Sequence, residues 1–243
     1  MVHRTMGSDP EKIRGEKRMN RKKEIIRCIN DLSGKYSGYE IFTDWIRCLA
    51  LSIENSLHVI HDKVWQEREQ AYIDTMRKYD SNEQVEFARL TACLIDTLED
   101  GPDDVLGSVY MEAGMGSKIA GQFFTPFHLS ELTARIGLRG QIEAYKNQKL
   151  NRITINEPSC GGGAMIIAAA KVLQEENVNY QSAMDVVAQD LDWKGVYMCY
   201  VQLSLLGISA LCVQGNTLLN PYVPGETDRS HILITPKKAG VLL

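Results

Sequence analysis

Apolar residues recur at helical spacing in the first half of the chain and gather in short unbroken runs in the second. In residues 39–56, Ile41, Trp45, Cys48/Leu49 and Ile53 share one face at a period near 3.6, which predicts an amphipathic helix. Residues 81–100 predict another. Ser81 is read as its N-cap, with Gln84 three residues on as a capping-box partner, and Val85, Ala88, Ala92 and Ile95 form its apolar stripe. Between these two, residues 65–80 read as a charged helix with little to bury. Residues 101–114 place Pro102 near a helix start and close on Gly114. A helix over residues 11–30 sets Ile25, Ile26 and Ile29 beside a run of Lys and Arg. Residues 11–115 therefore read as an all-helical domain, and residues 1–10 are set aside as a disordered arm or a cloning remnant.

From about residue 120 the texture changes. Residues 153–156, 184–189, 208–214 and 231–235 are short β-branched or apolar runs that predict strands. Helical patterns beginning at Gly162 and at Trp193, the second ending on Gly207, separate the first three. Strand–helix–strand alternation implies a parallel sheet with right-handed crossovers. Strands apolar on both faces fit a buried parallel sheet. The expected fold is α/β: a helical N-terminal domain, then a doubly wound domain over residues 116–243.

Composition narrows the function classes. The 243 residues carry 27 Lys+Arg against 31 Asp+Glu and are 44% hydrophobic, as in an ordinary soluble globular protein. No apolar run approaches the roughly 20 residues of a membrane helix, and no secretory h-region is visible at the start. A cytoplasmic location is expected. Residues 1–35 hold ten Lys/Arg against five acids, so a basic arm of net +5 precedes a remainder of net −9. Such an arm is either a solvated helix face or a phosphate-contacting surface. The six cysteines show no CxxC pairing and no His at ligand spacing, so they read as buried reduced thiols, and no metal site is expected.

Four motifs carry candidate chemistry. Asn156-Glu157-Pro158-Ser159-Cys160-Gly161-Gly162-Gly163 links a strand to a helix. Its glycines let the backbone turn sharply beside a ligand, and the helix start offers free N–H groups. Ile166 stands where G-x-G-x-x-G needs its third glycine, which disfavours a dinucleotide. Glu157 ahead of the loop favours a cationic ligand such as S-adenosylmethionine (SAM) over a pyrophosphate. Gln189-Asp190-Leu191-Asp192 ends the next strand, where Asp190 suits ribose hydroxyls and Asp192 suits a helix N-cap. Gln214-Gly215-Asn216 follows the third strand and is either an adenine reader or a plain Gly-Asn turn. Gly121-Gln122-Phe123-Phe124-Thr125-Pro126 precedes the sheet, its aromatics being either core anchors or part of a site.

Taken together, in order and spacing over roughly residues 100–220, these strings resemble the adenine-N6 DNA methyltransferases, above all the modification subunits of type I restriction-modification systems. The resemblance implies a helical domain ahead of a Rossmann-like SAM-binding domain. It implies that Gln122, Phe123, Phe124, Thr125 and Pro126 pack around the methionine part of SAM. It assigns methionine and main-chain contacts to Glu157, Ser159, Cys160, Gly161 and Gly163. Asp190 would meet the ribose, with Leu191 beside it among the cofactor contacts, and Asn216, where Asp is common in the family, the adenine. It further implies DNA as substrate, and as partner a specificity subunit, a second methylase subunit or a second copy.

One part of the family pattern is missing. Adenine N6 is a poor nucleophile, and the family orients it with an Asn/Asp-Pro-Pro-Tyr/Phe tetrapeptide that accepts its hydrogens and stacks on the flipped base. No such tetrapeptide occurs here. The candidate remnants are Asn220-Pro221-Tyr222 and Thr235-Pro236. In the family's strand order strand 3 and strand 4 flank strand 1 on opposite sides. The end of strand 3 would then start roughly 15 Å from the catalytic position, whereas Thr235 would lie in the right place with the wrong chemistry. Two functions are expected on this basis: a SAM-dependent adenine-N6 DNA methyltransferase working with a partner, or a catalytically silent module that binds SAM and associates with DNA or another subunit. Only four strands can be placed before Leu243, which favours a SAM-binding half over a complete enzyme.

Overall fold

In a computed structural model that describes residues 10–115 and 124–240, five helices come first: α1 (Pro10–Leu32), α2 (Gly38–Ser56), α3 (Lys63–Met76), α4 (Ser81–Leu98) and α5 (Val105–Glu112). The α2 face predicted from the sequence is the buried one, with Ile41, Trp45 and Cys48 joined by Phe42 and Ile46. Ser37 and Glu40 close a capping box at its start.

Two expectations for α4 are corrected. The capping box is formed by Asp80 and Glu83, one residue ahead of the Ser81/Gln84 pair, because the Asp80 carboxylate accepts from the backbone N–H groups of both Asn82 and Glu83. The stripe Val85, Ala88, Ala92 and Ile95 faces solvent, while Phe87, Leu90, Leu94 and Leu98 face the core. The helix has two apolar stripes, and the one with the larger side chains removes more area from water.

The α/β region opens with α6 (Phe127–Lys146), which the sequence pattern did not mark. Ala134, Leu138 and Ile142 are buried, but Leu129, Leu132 and Ile136 lie exposed on another face and blur the period. Next come β1 (Ile153–Glu157), α7 (Ala164–Glu175), the single turn α8 (Tyr180–Ala183), β2 (Met184–Asp190), α9 (Trp193–Leu205) and β3 (Ala210–Gln214). These three strands pair in parallel, β1 with β2 and β2 with β3, as expected.

The fourth strand departs from expectation. β4 (Ile232–Ile234) pairs antiparallel with β3, giving the order β1-β2-β3-β4, and is followed by α10 (Pro236–Ala239). It therefore lies on the far edge from β1. The antiparallel run carries Thr235 to the start of β3, the sheet end opposite the glycine loop. There its fully buried hydroxyl donates to Ile208 O and accepts from Ala210 N. Thr235 and Pro236 are thus buried at the sheet end away from the glycine loop, not beside it.

One hydrophobic core runs through both halves, and α9 is central to it. α9 packs on β2 and β3 on one side and on α2, α4 and α5 on the other. Buried polar ties reinforce the join. The Arg68–Glu54 pair, from α3 and α2, reaches across to β4: Arg68 donates to Ile232 O and Glu54 accepts from Ile234 N. Five of the six cysteines are buried and all are unpaired in disulfides.

Candidate cofactor site at the carboxyl ends of the parallel strands

In parallel α/β sheets, ligands bind beyond the carboxyl ends of the strands. Three of the four sequence motifs meet there. β1 ends on Glu157 and the chain turns through the glycine loop into α7. Gly161 (φ 48°) and Gly163 (φ 95°) adopt left-handed backbone that favours glycine. Space is tight as well: a Cβ on Gly161 would lie 2.9 Å from the Phe124 ring, and one on Gly163 would lie 3.1 Å from Cys199 Sγ.

Asp190 organises the meeting point. Its Oδ2 accepts from Gly161 N at 2.8 Å and its Oδ1 from Asp192 N at 3.0 Å. Its carbonyl accepts from Gly215 N at 2.8 Å, and the neighbouring Gln189 carbonyl accepts from Cys160 N at 2.9 Å. Thr217 Oγ1 donates to Pro158 O at 2.6 Å, which ties the third loop to the first. The glycine, Asp190 and Asn216 motifs are thus stitched together by short polar contacts. A carboxylate offers about four acceptor sites, and these two bonds use two of them.

The other residues sort as follows. Asp192 is the N-cap of α9, accepting from Lys194 N. Asn216 builds its own turn, its Oδ1 accepting from Leu218 N and Leu219 N. Leu191 is exposed beside it, and both line an open cavity of about 650 Å³ that also takes in Gln214, Asn220, Pro221 and His231. Glu157 is half-exposed and Ser159 exposed, with Glu157 Oε1 accepting from Ser159 N. Cys160 is buried, and its contact with Cys199 together with burial pushes its thiol well above the usual range. Phe124 packs against Gly161 and the Tyr110 ring, at 5.2 Å between centroids; Thr125 and Pro126 are exposed beside it. Gln122 and Phe123 lie outside the described residues.

Asn220-Pro221-Tyr222 stays beside the ends of β2 and β3, with Asn220 and Pro221 on the wall of the cavity. Gln189 holds its backbone from below, donating to Asn220 O at 2.8 Å and accepting from Tyr222 N at 3.0 Å. Sequence reasoning gave Gln189 no role within its motif and missed Gln202, a fully buried amide within apolar α9. The available signal was a polar residue inside an apolar helical run, where burial demands satisfied hydrogen bonds. Among the described residues no His/Cys/Asp/Glu cluster suits a metal ion.

The residues fit a SAM-like ligand. A half-exposed acid lies beside a glycine loop, a carboxylate lies at the next strand end, and a cavity of about 650 Å³ adjoins them, lined by Leu191 and Asn216 and not by Glu157, Asp190 or the glycine loop.

The N-6 DNA methylase family model matches residues 102–237, more than half of the chain, and the chain belongs to that family. A Listeria monocytogenes protein assigned to the class I S-adenosylmethionine-dependent methyltransferases is similar in structure, with a TM-score of 0.46 and 12% identity over 84% of this chain and 56% of that one. The chain therefore spans 56% of the length of that protein. No curated protein matches the sequence.

Proposed function

We propose that this chain binds SAM at the ends of β1, β2 and β3, and that it serves adenine-N6 methylation of DNA as the cofactor-holding part of a larger site. The observation that carries the reading is the Asp190 carboxylate, which holds the glycine loop through Gly161 and still has acceptor sites for ribose hydroxyls. Glu157 would receive the ammonium, Cys160 to Gly163 would line the methionine, and Phe124, Thr125 and Pro126 would flank it with Gln122 and Phe123. Leu191 and Asn216 would bracket the adenine at the cavity mouth. Bound SAM supplies an electrophilic methyl group on its sulfonium.

A second reading is a catalytically silent SAM-binding module acting through association. The missing tetrapeptide favours it for this polypeptide, as does the burial of Thr235 at the opposite sheet end. The partner on either reading is DNA together with a specificity subunit, a second methylase subunit or a second copy. DNA contact through α1 would be modest. Arg18 and Lys22 pair with Asp103, and Arg21 pairs with Asp100, which leaves Lys17, Lys23 and Arg27 exposed.

Calorimetric titration with SAM tests the cofactor assignment, with saturable binding expected; no heat at millimolar SAM would overturn it. Methyl transfer from labelled SAM to adenine-containing DNA separates the two readings. No transfer by this chain alone is expected, and a signal restored by a partner favours the first.

A further inference from the structure

Three consecutive glycines have no side chains to fix them, so the cofactor loop must be held from outside. Gly161 N is held by Asp190 and Cys160 N by the Gln189 carbonyl. The buried middle residue, Gly162, is held by the core of α9. Gln202 Nε2 donates to Gly162 O at 2.8 Å and to Asp104 Oδ1 at 3.0 Å, and Gln202 Oε1 accepts from Leu106 N at 3.0 Å. Both amide hydrogens and the amide oxygen are engaged. Asp104 is in turn the N-cap of α5, its Oδ1 accepting from Gly107 N at 3.0 Å. The fit is close: a Cβ on Gly162 would lie 3.2 Å from Met198 Cε and 3.8 Å from Asp104 Oδ1.

We propose that Gln202 is a positioning residue for the cofactor loop, and that through Asp104 it makes the loop's shape depend on α5 of the helical region. The inference rests on the SAM-binding reading. An amide in the centre of an apolar helix costs free energy unless every group is satisfied. Here its three bonds go to the loop, to the α5 N-cap and to the first turn of α5. Gln202 touches no expected SAM atom, so its influence passes through Gly162 O.

The test uses the full chain and three measurements: SAM affinity by calorimetry, thermal melting, and hydrogen exchange at residues 160–163. Gln202→Leu keeps volume and apolar packing but frees the Gly162 carbonyl. It is expected to melt cooperatively, to exchange faster in the loop and to bind SAM at least tenfold more weakly. Gln202→Glu adds a readout that a purely structural role would not move. Where ionised, its carboxylate repels Gly162 O and Asp104, which itself sits beside Asp103 and Lys22 and has its pKa pushed up by burial, and it regains one donor when protonated. Its SAM affinity is therefore expected to recover towards the wild-type value as pH falls from 8 to 5.5, each compared at the same pH. A Gln202→Leu protein that melts earlier but binds SAM as wild type overturns the proposal. If that variant fails to fold, the Gln202→Glu profile decides, and a profile parallel to wild type overturns it. Wild-type protein that binds no SAM is a separate result: it removes the cofactor reading, and the inference falls with it.

Discussion

Two aspartates two residues apart show how the site divides its labour. Asp190 holds the backbone of Gly161 and Asp192, whereas Asp192 caps the first turn of α9 through Lys194 N. Removing a cap carboxylate typically costs about 0.5–2 kcal/mol and leaves distant geometry intact. Asp192→Ala is therefore expected to lower stability by roughly that amount in urea denaturation, with SAM affinity nearly unchanged. Asp190→Ala removes the loop's anchor and the expected ribose acceptor together, and its SAM affinity should fall at least tenfold. Equal losses of affinity in the two variants would remove Asp190 from its assigned role. The sequence already separated the two acids and read Asp192 as an N-cap, but it could not show the Gly161–Asp190 bond, which joins residues 29 positions apart.

At the scale of elements, the buried Arg68–Glu54 pair fixes the edge strand. Arg68 also donates to Arg229 O and Ile232 O, and Glu54 accepts from Ile234 N. Stripping one partner from a buried pair typically costs about 3–5 kcal/mol, because the other charge stays desolvated, whereas replacing both with apolar residues can be neutral. Arg68→Ala should thus destabilise by about that much in chemical denaturation, and a Glu54→Leu/Arg68→Met double variant should recover most of it. A double variant no better than the single would show that β4 depends on the bonds themselves. This pairing also explains what the sequence left illegible. The first three strands are legible in Ile153–Glu157, Met184–Asp190 and Ala210–Gln214, as short apolar runs with helices between. The placement of β4 rests on its antiparallel pairing with β3 and on bonds from α2 and α3, far away in sequence, and no local pattern in residues 231–235 encodes it. The same limit reversed the face of α4, where two apolar stripes competed and only tertiary packing chose Phe87, Leu90, Leu94 and Leu98. It also hid α6, whose exposed Leu129, Leu132 and Ile136 confuse the period that Ala134, Leu138 and Ile142 would announce.

For the whole molecule, the compositional break near residue 115 suggests two domains, yet the packing does not stop there. α9 is enclosed by β2 and β3 on one side and by α2, α4 and α5 on the other, and Val196, Met198, Cys199, Tyr200, Val201 and Leu203 on it are fully buried. Polar ties cross the same boundary: Gln202 to Asp104 and Leu106, Lys194 to Tyr110, and β4 to Arg68 and Glu54. Cutting the chain at residue 115 would expose large side chains at about 1.5–3 kcal/mol each, and would leave Gln202 and the β4 backbone without their partners. Several such residues together exceed the roughly 5–15 kcal/mol by which a domain is stable. A fragment of residues 116–243 is therefore expected to lack a cooperative thermal transition and dispersed amide resonances, while the full chain melts in one step. A fragment that melts cooperatively and binds SAM with full-chain affinity would make the helical region an appendage. It would also sever the route from α5 to the glycine loop. A fragment that cannot fold would mean that the helical region supplies half of the core around α9, and that the site at the strand ends exists only when both halves are present.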